Sequence, residues 1–172
     1  MAFWAAEGSH EVGAGAGGRP GGWLGPVAGA GAATPDGGKR VQTVRASGSF
    51  EVKIAPVADD AGTGLGRMSL EKVLHGELEG TSRGEMLTAM GARKGSGAYV
   101  AVERVTGTLL GRRGSFALVH RGVMANGKQE LLITVVPDSG TEALEGLEGT
   151  FTIRIEPAGE HFYVLEGALP GS

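Results

Sequence analysis

From Val44 onward, apolar and polar residues alternate with a period of two. Val44, Ala46, Gly48, Phe50, Val52 and Ile54 share one face of an extended segment, and Arg45, Ser47, Ser49, Glu51 and Lys53 share the other, as in a strand with one buried face. Similar runs follow at residues 67–78, 81–90, 98–110, 115–124, 128–136, 149–156 and 161–167. Between them lie turn-forming groups: Asp59-Asp60-Ala61-Gly62, Glu79-Gly80, Gly111-Arg112-Arg113-Gly114, Asn126-Gly127 and Pro157-Ala158-Gly159. Asn126-Gly127 is the clearest, because a type I′ hairpin turn needs positive φ at both central residues. The pattern predicts about eight short strands in meander order, which means a barrel or a sandwich. Only residues 141–147 read as a helical turn.

Hairpin arithmetic assigns the faces. Antiparallel partners keep a constant index sum, so a two-residue Arg112-Arg113 loop sets Glu103 opposite Gly122 and Val105 opposite His120. One face then carries Tyr99, Ala101, Glu103, Val105, Leu109, Phe116, Leu118, His120 and Met124, and the Asn126-Gly127 turn adds Gln129, Leu131, Ile133 and Val135. Arg104, Thr106, Thr108, Ser115, Arg121 and Glu130 fall on the other face. The first face is the expected interior, and it makes Glu103 and His120 diagonal neighbours. A two-residue Glu79-Gly80 turn, treated alike, sets Lys72, Leu74, Gly76 and Leu78 beside Glu85 and Leu87. Lys72 and Glu85 become a second diagonal polar pair.

Composition changes the picture chiefly at the start. Of the 33 glycines, 12 lie in the first 40 residues, mixed with alanine. Such a stretch loses much backbone entropy on ordering and has little side chain to bury. Residues 1–41 are therefore expected to be a disordered leader, or an upstream extension from a misassigned start, and residues 42–172 the β-barrel domain. That length buries a core without staples. There is no cysteine, so disulfides and thiolate chemistry are excluded. A formal net charge of -3 carries no basic signature for nucleic acid. The apolar runs are too short to span a bilayer as helices, and the start lacks the basic and apolar regions of a signal peptide. The chain is expected to be cytoplasmic, with neither nucleic acid nor membrane as partner.

Three string motifs fail on context. Gly13, Gly15 and Gly18 fit GxGxxG, but no strand precedes them and no helix follows. GVMANGK at residues 122–128 is one residue short of a phosphate loop, and Gln129 replaces the magnesium-binding hydroxyl. Gly80-Thr81-Ser82-Arg83-Gly84 fits GxSxG, yet a strand, not a helix, follows Ser82. His10, His75, His120 and His161 are scattered, without the paired spacing of a metal site.

The segments GRMSLEKVLHGELEGTSRGEML, YVAVERVTGTLLGRRGSFALVHRG and VVPDSGTEALEGLEGTFTI resemble an uncharacterised bacterial domain-of-unknown-function family whose folds are grouped with the plant allene oxide cyclase barrel. The likeness covers residues 43–168. The loop DSGTEALEGLEG also resembles the glycine-rich closing loop of the dirigent proteins, which share that barrel. The resemblance implies an all-β fold: an antiparallel eight-stranded meander barrel with an apolar central cavity, often oligomeric. It implies no activity for the family, and no catalytic residue of the plant enzymes matches a position in this chain.

The interior polar set carries the candidate chemistry. A lysine, two glutamates and a histidine facing a cavity are costly to desolvate singly, so they pair or shift their pKa values. The expected function is a hydrophobic pocket for an apolar small molecule, performing a cyclisation or isomerisation without a cofactor. His120 or Lys72 would polarise a substrate oxygen and Glu103 would move a proton, while Glu85, Tyr99, Phe116 and Leu118 would contact the ligand. The alternatives are a non-catalytic binding barrel using the same residues to orient ligand, and a structural homo-oligomer.

Overall fold

The computed structural model describes residues 40–171 apart from 59 and 60. Eight strands run in order: β1 (Val41–Val57), β2 (Gly66–Gly76), β3 (Leu78–Met90), β4 (Gly97–Leu109), β5 (Arg112–Ala125), β6 (Lys128–Val135), β7 (Glu148–Ile155) and β8 (His161–Pro170). Each pairs antiparallel with its sequence neighbour, and β1 pairs with β8 to close the barrel. The expected all-β meander and its barrel alternative are what the chain forms. The expected leader lies outside the described residues except for its last two positions, and β1 already begins at Val41.

One end of the barrel is packed solid. The segment between β6 and β7 forms a single 3-10 turn, Glu142–Leu144, where the sequence predicts a helical turn. It tucks Leu144 and Leu147 among Phe116, Leu109, Leu78 and Leu165, all at 1% exposure or less. The same segment completes the hydrogen bonding of β5 where β6 has ended: Val136 N–H donates to the Ala117 carbonyl at 2.9 Å, and Thr141 N–H to the Ser115 carbonyl at 2.9 Å. Tyr163 ties this end together. Its ring stacks on Phe151, with centroids 5.1 Å apart, and its hydroxyl accepts the Leu78 N–H at 2.9 Å.

Three of the expected turn geometries can be checked directly. The Asn126-Gly127 hairpin forms as predicted, with φ of 54° and 73° and Ala125 opposite Lys128. The β4–β5 turn is at Leu110-Gly111, not Arg112-Arg113, with φ of 48° and 80°. Glu103 therefore faces Leu118, and Ala101 faces His120. The shift in index sum is even, so every side chain keeps its expected face, and Glu103 and His120 remain diagonal neighbours. The β2–β3 connection departs in parity. Leu74 pairs with Gly80, leaving an odd number of residues between them, where the expected two-residue turn was even. Along β3 this puts Leu78, Ser82 and Met86 inside and turns Glu85 and Leu87 out.

Candidate functional site

Above the packed end the interior holds four buried polar side chains: Lys72, Ser82, Glu103 and His120, at 5%, 2%, 1% and 4% exposure. They come from β2, β3, β4 and β5, four neighbouring strands whose period-two alternation delivers each residue to the inner face. Glu103 is the hub. Its Oε1 accepts hydrogen bonds from Lys72 Nζ at 2.6 Å and from His120 Nε2 at 2.8 Å, and its Oε2 accepts one from Ser82 Oγ at 2.6 Å. Burial alone would raise the Glu103 pKa. The His120 hydrogen bond and the Lys72 charge outweigh it and bring it down to about 2. An ionised carboxylate only accepts, so His120 presents a protonated Nε2 to it.

Beyond this cluster, toward the end carrying the β5–β6 turn, lies a cavity of about 110 Å³. Its walls are largely apolar: Phe50, Val52, Leu70, Met86, Ala101 and Ile153. Ile54, Leu131 and Ile155 also line it and are 40%, 37% and 39% exposed, so they mark its mouth. Lys72 and His120 belong to the lining and Glu103 does not. Lys72 and His120 therefore stand between the carboxylate and the cavity. Lys72 Nζ also sits 5.2 Å from the centroid of the Phe50 ring, a distance at which the ring face attracts the ammonium.

Tyr99 lines the cavity as well. It pairs with Gly122, where a Cβ would fall 2.0 Å from the Tyr99 ring. Glycine there lets the ring lie against β5. Burial, and then the Glu103 charge, push the Tyr99 pKa up to about 12, so the phenol stays protonated.

Of the residues named from sequence, the structure brings together Lys72, Glu103 and His120 in one cluster and places Tyr99 at the cavity wall. It does not bring Glu85. That residue faces outward and bonds Arg67, with Oε2 2.9 Å from Nε and 2.8 Å from Nη2, because the β2–β3 connection is odd in length. The expected Lys72–Glu85 pair is replaced by Lys72–Glu103. Phe116 and Leu118 are interior but sit in the packed core, not in the cavity lining. Sequence reasoning missed Ser82, read there only as a failed nucleophile motif, and His161, which lines the cavity. The small residues flanking Ser82, Gly80 and Gly84, marked a stretch of β3 facing a crowded interior once the parity is right. Among the described residues, no three histidine, aspartate or glutamate side chains could hold a metal ion, and no helix is long and apolar enough to cross a membrane.

The family model that matches, DUF3224, a protein family of unknown function, aligns with residues 46–166. A crystal structure of a protein of unknown function from the DUF3224 family of Shewanella oneidensis is similar at 47% identity and a TM-score of 0.69, covering 76% of this chain and 100% of that one. No curated protein matches the chain.

Proposed function

We propose that this chain, which belongs to the DUF3224 family of proteins of unknown function, binds a small molecule with an apolar body and a polar atom at its inner end. The observation that carries this reading is that Lys72 and His120 line an otherwise apolar cavity while both bond one buried carboxylate. Small-molecule sites combine apolar walls with a few converging polar groups in this way. The carboxylate fixes the two donors in place before any ligand arrives, which lowers the ordering cost of binding.

Binding is favoured over the cofactor-free cyclase or isomerase chemistry expected from sequence. An effective general base titrates near the working pH and reaches the proton it removes. Glu103 is held at about 2, already accepts three hydrogen bonds and lies behind Lys72 and His120. In this reading Glu103 is a positioning residue, and Lys72 and His120 contact the ligand. An allene oxide cyclase-like barrel, which the sequence resemblance implies, would also enclose an apolar cavity, and it supplies no catalytic residue.

A cavity-filling variant tests the reading. Ala101 lines the cavity opposite His120 and makes no hydrogen bond to the polar cluster, so Ala101→Leu occupies the space while leaving every charged group in place. Ligand-observed NMR with a panel of short-chain ketones should show saturable binding to the wild type and none to the variant. Binding that is absent from the wild type, or equal in both, would overturn the proposal.

A further inference from the structure

The charge arrangement at the cavity floor says more about the ligand than its apolar walls do. Lys72 lines the cavity, and its ammonium is 2.6 Å from the Glu103 carboxylate. The pair is buried, at 4% and 0% side-chain exposure, so its two charges are screened little by solvent. From the cavity, Lys72 and Glu103 together read as a neutral dipole with its positive end forward. One of the three N–H donors of Lys72 is used on Glu103.

Resting on the binding reading above, we infer that the site selects uncharged oxygen-bearing ligands, ketones and amides, over carboxylates of the same shape. A carboxylate entering this cavity would give up its hydration and find a lysine already neutralised, with the Glu103 anion directly behind it. A carbonyl oxygen costs far less to desolvate and needs one N–H, which Lys72 still has. Size narrows the class further. An apolar cavity of about 150 Å³ holds benzene, so 110 Å³ takes an inner segment of about four heavy atoms, with any longer body leaving through the mouth between Ile54, Leu131 and Ile155.

Three near-isosteric probes separate charge from shape: 2-pentanone, butyramide and butyrate. Their dissociation constants for the wild-type protein are measured at pH 8 by protein-observed NMR. The ketone and the amide should each bind at least tenfold more tightly than butyrate. Glu103→Gln keeps the shape of the cluster and removes its anion, so the ketone-to-butyrate preference should fall at least tenfold. Butyrate binding as tightly as the neutral probes in the wild type would overturn this inference while leaving the binding reading intact. A preference unchanged in Glu103→Gln would overturn it as well. Failure of all three probes to bind the wild type would remove both. The wild-type comparison decides the matter even if the variant does not fold.

Discussion

Glu103 is one of the most buried residues in the chain, at 1% exposure, and it is charged. A lone carboxylate there would be protonated or excluded, because the desolvation cost of a single ion is several kcal/mol. Three donors make the anion tolerable, and the same arrangement ties stability to pH. The folded carboxyl titrates at about 2 where its ordinary value is 4.5. As pH falls, the unfolded chain takes up its proton first. The stabilisation from Glu103 is therefore complete above about pH 4.5 and lost by about pH 2, and the two pKa values put it at roughly 3 kcal/mol. Urea unfolding of the wild type and of Glu103→Gln at pH 6 and pH 2.5 should show the wild type losing more stability on acidification than the variant. Parallel loss in the two proteins would mean that the carboxylate is not held as the hydrogen bonds indicate.

At the scale of single elements, the β4–β5 hairpin sets the site, since it fixes how Glu103 on β4 meets His120 on β5. Its turn residues are Leu110 and Gly111, both at positive φ. Glycine takes this conformation freely, whereas leucine pays about 1 kcal/mol for it. Leu110 is 47% exposed, so its burial returns little. Leu110→Asn gives the turn the Asn-Gly pair that type I′ geometry prefers and should raise stability by about 1 kcal/mol, read as a higher urea midpoint with an unchanged slope. A lower midpoint would show that the partly buried leucine side chain matters more than its backbone. The same turn explains what the sequence made legible. Nothing in Leu110-Gly111-Arg112-Arg113 announces which pair turns, but moving the turn by two residues conserves parity, and Glu103 and His120 stay inside either way. Between β2 and β3 the turn chemistry of Glu79-Gly80 misled, because the chain instead turns around Glu77, whose N–H reaches the Ser47 carbonyl and whose carbonyl accepts the Leu110 N–H. Those bonds are tertiary. A local reading of the hairpin has no access to them, and so Ser82 and Glu85 exchanged faces.

For the whole molecule, alternation alone does not tell inside from outside. Val100, Val102 and Val119 are 53%, 56% and 37% exposed on the outer face of β4 and β5, while Lys72, Glu103 and His120 point inward. The interior follows instead from bulk and closure: Phe50, Leu118 and Ile133 gather in one core as the sequence pattern implies, joined by Phe151, and Arg45, Lys53, Arg121 and Glu130 stay exposed. Packing then divides the barrel by use. The end closed by Leu144 and Leu147 supplies cohesion, and the end bounded by Ile54, Leu131 and Ile155 keeps its space, with the polar cluster between them. That division is the central claim. It is tested most directly by mapping backbone amide shifts in a protein-observed NMR titration with 2-pentanone. The account predicts saturable shifts concentrated at Leu70, Met86, Ala101, His120 and Ile153, with Leu109, Phe116 and Leu144 unmoved. Saturable shifts centred on the packed end, or on the outer valines of β4 and β5, would contradict it.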